Sequence, residues 1–83
     1  MRNFSIDIPM ITADGESTVL VRTDVFASGD HYNADMYEPE ARVEFNVSPN
    51  VPEVVEIDDP YGQAMAYVHA NYYDLLAGVR GQL

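Results

Sequence analysis

Glu53-Val54-Val55-Glu56-Ile57-Asp58-Asp59-Pro60 is the stretch whose conformation decides the architecture. Val54, Val55 and Ile57 have strand propensity and need burial, which predicts a short fourth strand over 53–57. Asp59 followed by Pro60 predicts a helix start. The Asp carboxylate suits the N-cap, and proline suits the first helical position, where its missing N–H has no intrahelical partner to lose. If 53–57 is an antiparallel strand, it carries the chain back along the sheet; if it is a loop, residues 58–59 stay where the preceding strand left them.

Upstream, the chain alternates. Phe4, Ile6, Ile8 and Met10 share one face of a segment over 3–11, against Asn3, Ser5, Asp7 and Pro9, and Pro9 pushes that strand toward a sheet edge. Thr12-Ala13-Asp14-Gly15-Glu16-Ser17 carries an Asp-Gly hairpin signal. Over 18–27, Val19, Val21, Thr23 and Val25 face one way, and Leu20, Arg22, Asp24 and Phe26 the other. Ala41, Val43, Phe45 and Val47 alternate with Arg42, Glu44 and Asn46 in a third strand, closed by the proline-bearing turn Ser48-Pro49-Asn50-Val51-Pro52.

Downstream of Pro60, Tyr61, Ala64, Met65, Val68, Tyr72, Leu75, Leu76 and Val79 recur at spacings of three and four, one apolar stripe on a helix running to about Gly78. Gly78 and Gly81 are candidate stops, and Arg80 suits the negative end of the helix dipole. The expected fold is a single α+β domain over 1–83: an antiparallel meander sheet of three to four strands, with one C-terminal helix packed across one face.

The chain has 83 residues, 14 acidic side chains against 4 arginines, no lysine and no cysteine, for a net charge of −10. With 47% apolar and 11% aromatic residues it has the composition of a folded protein, not of a disordered acidic tail. The absence of cysteine excludes disulfides, thiolate metal sites and a cysteine nucleophile. No apolar run approaches the ~20 residues of a membrane span, and no signal peptide is legible at the N-terminus. The negative charge opposes anionic membranes and direct nucleic-acid binding, so a soluble cytoplasmic protein is expected.

The charge is not evenly spread. Asp7, Asp24 and Glu44 nearly cancel against Arg22 and Arg42 on the outward strand face. The excess lies in two arginine-free segments: Asp30, Asp35, Glu38 and Glu40, then Glu53, Glu56, Asp58 and Asp59. Gathering matters, because a uniform −10 on this domain is one charge per ~500 Å², about fivefold more dilute than the phosphates of duplex DNA. A fourth strand over 53–57 would bring Asp58 and Asp59 beside the 30–40 loop and make one patch.

In that loop Tyr32, Met36 and Tyr37 are candidate apolar anchors among the carboxylates, a composition enriched at protein interfaces. An ordinary solvated loop is the plain alternative. Asp30, Asn33 and Asp35 miss the calcium-loop spacing, and neither His31 nor His69 is paired with a nucleophile, so no metal, cofactor or catalytic residue is expected. Asp14-Gly15-Glu16 is explained as a turn, and Asp58-Asp59-Pro60 as helix capping that also stands ready for a partner.

The expected function is non-enzymatic. A small acidic binding protein would inhibit a basic, nucleic-acid-handling partner by placing carboxylates in its phosphate-binding groove. In size and charge alone, this is the character of phage anti-CRISPR and anti-restriction inhibitors and of immunity proteins and antitoxins. The alternative is a structural or assembly module docking through the helix, whose Tyr67 and Tyr73 would form a homodimer seam.

Overall fold

Alternation of apolar and polar residues produces strands wherever one face can be buried, and the computed structural model, which describes residues 2–28 and 43–81, has three of them. They are β1 (Arg2–Ile11), β2 (Thr18–Ser28) and β3 (Glu44–Pro49), joined in the order β1-β2-β3 with antiparallel pairing throughout. β1 and β2 pair over their whole length, from Arg2↔Ala27 to Ile11↔Thr18. β3 is shorter and covers only the second half of β2, from Ser28↔Glu44 to Thr23↔Pro49.

The inward faces are those the alternation predicts. Ile8, Met10, Val21, Val25, Val43, Phe45 and Val47 are buried, and Phe4, Ile6 and Val19 are partly buried against them. Each aliphatic side chain so enclosed contributes about 1.5–3 kcal/mol relative to exposure. Thr23 shares this face and is fully buried, its hydroxyl donating to the Val21 carbonyl at 3.0 Å.

Helix α1 (Pro60–Ala70) and helix α2 (Tyr72–Gly81) cover that face through Ala64, Val68 and Leu76. Tyr72 ties the helices to β3, its hydroxyl donating to the Val43 carbonyl at 3.0 Å and its ring meeting Phe45 edge-on at 5.5 Å.

Two expectations are corrected. The single helix to about Gly78 is two helices reaching Gly81, divided at Asn71, whose ψ of 25° leaves the helical range. The Asn71 amide side chain donates to the Tyr67 carbonyl at 2.8 Å, beside the Asn71 N–H on the same oxygen at 3.0 Å. Such side-chain bonding back to the i−4 carbonyl bends helices.

The fourth strand over 53–57 is absent. A turn closed by the Val55 N–H on the Pro52 carbonyl occupies its first residues, leaving Val54 94% exposed and Val55 half-buried. What remains of strand pairing is one bridge, Ile57 opposite Thr12, with the Ala13 N–H donating to the Glu56 carbonyl at 2.8 Å.

Both outer strands carry proline where it matters. The Ile11 N–H points away from β2, because it donates to the Gln63 side chain, so by the two-residue period position 9 also faces the open edge. On β3, the Asn50 N–H turns inward to the Arg22 carbonyl, which directs position 49 outward. Pro9 and Pro49 therefore sit where the missing N–H would have faced solvent, a protection against strand addition. Asn46 extends it on β3 by accepting the Val47 N–H on its side-chain oxygen at 2.9 Å.

Candidate partner-binding surface

The β1–β2 hairpin is built on Thr12. Its N–H donates to the Ser17 carbonyl at 2.9 Å, its carbonyl accepts the Gly15 N–H at 2.8 Å, and its side-chain oxygen accepts the Ser17 N–H at 3.1 Å. Gly15 supplies the φ of 75° that the turn requires. The Asp14 carboxylate accepts the Thr12 hydroxyl at 2.7 Å and the Glu16 N–H at 2.9 Å, and these bonds hold its pKa below the ordinary carboxylate value, the Thr12 bond chiefly.

The segment after β3 is stitched to this hairpin by its backbone, which leaves its acidic side chains outside while Val51 and Ile57 pack against the core. Beyond the Ala13–Glu56 bond, the Gln63 amide receives the Ile11 N–H at 2.8 Å and donates to the Ile11 and Asp58 carbonyls at 3.1 and 2.9 Å. Gln63 thus does for one residue what a neighbouring strand would have done. Asp59 caps α1, accepting the Gly62 N–H at 3.1 Å.

The consequence is an acidic end. Glu53, Glu56, Asp58 and Asp59 are exposed, and Asp14 and Glu16 of the hairpin, also exposed, join them. Arg22 lies elsewhere, pairing with Asp7 at 3.3 Å across β1 and β2. Among the described residues no three acidic or imidazole groups converge on a point that would hold a metal ion. The carboxylates are spread over a surface. Between the hairpin and 54–56 lies an open cavity of about 320 Å³, lined among others by Thr12, Asp14, Val19, Val54 and Glu56.

This end is not where the other acidic segment is anchored. β3 starts beside Ser28 and runs toward the hairpin, and the chain beyond Pro49 turns back only after reaching it, at the Pro52–Val55 turn, with Ile57 antiparallel to Thr12. Glu56 therefore lies beside Ala13 and Asp58 beside Ile11, at the other end of β2 from Ser28. The expectation that a fourth strand returns Asp58 and Asp59 to the ends of the 30–40 loop is corrected. Asp30, Tyr32, Asp35, Met36, Tyr37, Glu38 and Glu40 lie outside the described residues.

Asp14 and Glu16 are the surface residues the sequence reading passed over. The Asp-Gly turn was legible, but its proximity to 53–59 depends on the Thr12–Ile57 bridge, for which no local signal exists. On the helices, Tyr73 is 69% exposed with its ring edge-on to Tyr72 at 5.2 Å, whereas Tyr67 is half-buried against the core. Among the described residues no helix is long and apolar enough to cross a membrane. Compared with known protein families, curated proteins and solved structures, the chain has no significant match.

Proposed function

We propose that this protein is a small acidic inhibitor that binds a basic, nucleic-acid-handling partner and sets its carboxylates where that partner grips phosphate. The supporting observation is the acidic end itself: Asp14, Glu16, Glu53, Glu56 and Asp58 stand exposed on a backbone fixed by hydrogen bonds, and no described basic side chain pairs with them. Fixed carboxylates suit this task because the partner's Arg and Lys are met without ordering a flexible chain first. The 30–40 segment, with Asp30, Asp35, Glu38 and Glu40 and the anchors Tyr32, Met36 and Tyr37, forms a second contact in this reading. The protein works in the cytoplasm, as inhibitors of the anti-CRISPR, anti-restriction and immunity or antitoxin kinds do, and performs no catalysis.

The test is capture of partners on the immobilised protein at low and high salt, followed by elution with duplex DNA. The expected outcome is a basic protein that DNA displaces and high salt releases. Neutralising Glu53, Glu56 and Asp58 to Gln, Gln and Asn should lower its affinity by about tenfold or more, the scale of lost charge pairs at an interface. Binding indifferent to salt, to DNA and to these substitutions overturns the reading.

A second reading rests on the exposed Tyr73: docking through α2 as an assembly module or homodimer. It predicts association that salt does not weaken and that Tyr73→Asp abolishes in sedimentation. Tyr67 is a poor probe for it, since its packing against the core makes any substitution there a stability change.

A further inference from the structure

Phe26, Glu44 and Tyr61 line one open cavity of about 570 Å³ at the β3 edge, together with Ser28, Phe45 and Asn46. Phe26 pairs with Asn46 and Ser28 with Glu44, so Glu44 lies diagonally across from Phe26 on the outward face of the sheet. Tyr61 reaches this edge from the first turn of α1, and its hydroxyl donates to the Asn46 side-chain oxygen at 2.9 Å, which holds the ring beside the strand. Tyr61 is 51% exposed, Phe26 half-buried and Glu44 exposed. Among the described residues no cation pairs with Glu44.

Aromatic rings present a negative face to a cation, and a carboxylate beside them supplies the full charge. A planar guanidinium uses both at once, stacking on a ring while its N–H groups bond the carboxylate in a fork, which the compact, strongly hydrated ammonium of lysine does less well. An anionic ligand is disfavoured by Glu44 and by the net charge of −10. The polar rim of Ser28, Glu44 and Asn46 suits a purely apolar ligand poorly.

We propose that this cavity receives an arginine side chain of the partner. The proposal rests on the reading above in taking the partner to be basic, and it places one specific contact apart from the acidic end.

The test is an NMR titration of the full chain with two blocked peptides, acetyl-Gly-Arg-Gly-amide and its citrulline counterpart, which has nearly the same shape without the charge. The expected result is saturable shifts at Phe26, Glu44 and Tyr61 with the arginine peptide, and binding weaker by roughly threefold to thirtyfold with citrulline, the span of a cation–aromatic contact. Glu44→Gln and Phe26→Leu should each weaken the arginine peptide while the other sheet resonances stay in place. Equal binding of both peptides, or arginine-induced shifts confined to Asp14, Glu16 and 53–59, overturns the proposal.

The two readings fail separately. If Glu44→Gln leaves a captured basic partner bound as before while neutralising 53–59 releases it, the cavity proposal falls and the inhibitor reading stands. If the cavity selects arginine over citrulline but no partner is displaced by DNA, the inhibitor reading falls and the cavity's selectivity for guanidinium stands.

Discussion

Asp59 holds a left-handed backbone, φ 50° and ψ 61°, immediately before a proline, a conformation that a residue with a Cβ adopts at an energetic penalty. Its carboxylate offsets that penalty by capping α1, and it occupies the space where a Cβ on Gly62 would fall. Asp59→Ala keeps the strain and loses the cap, and should destabilise by about 1–3 kcal/mol in urea unfolding, with Asp59→Gly less harmful because glycine accepts the backbone. Gly62→Ala ordinarily stabilises a helix by up to about 1 kcal/mol, but here it should destabilise by displacing the cap. In the Asp59→Gly background the same substitution should become stabilising. An unchanged sign in the two backgrounds contradicts the steric account. The cap itself was legible in Asp59-Pro60. The left-handed turn was not, because it follows from where Ile57 is pinned.

At the scale of elements, the sheet is defined as much by its two prolines as by its ladders. Pro9→Thr with Pro49→Thr restores an outward N–H on each edge strand, and the double variant should sediment with a higher average mass than the parent at equal concentration and high salt, where charge repulsion is screened. An unchanged mass shows that the prolines are not what guards the edges. The first three strands were readable because one buried face enforces a period of two, and Pro9 correctly marked β1 as an edge. The fourth was misread for an equally physical reason. Val54, Val55 and Ile57 have the propensity, but the turn at Pro52 takes the Val55 N–H that a ladder would need. The helix break at Asn71 was not legible, because a side-chain bond back to Tyr67 carries no periodic signature.

For the whole molecule, the division of charge was legible and its arrangement was not. Two arginine-free segments can be counted in the sequence, whereas the adjacency of 53–59 to the hairpin arises from one bridge between residues far apart in the chain. Gln63 reinforces that bridge, its amide holding both backbone groups of Ile11, a residue 52 positions away. Removing it with Gln63→Ala should destabilise by about 1–2 kcal/mol, since Ile11 and Asp58 lose their partners together.

The same contact makes the Ile11 amide a clock. The hairpin, whose pairings are local, can form before the rest of the chain arrives, but the Ile11 proton is shielded only when the start of α1 has docked. In hydrogen exchange its protection therefore times the union of the two halves of the chain. In Gln63→Ala the Ile11 proton should exchange freely while those of Val19 and Val21, held within the hairpin, keep their pace. Equal acceleration at all three would mean that the halves open as one body.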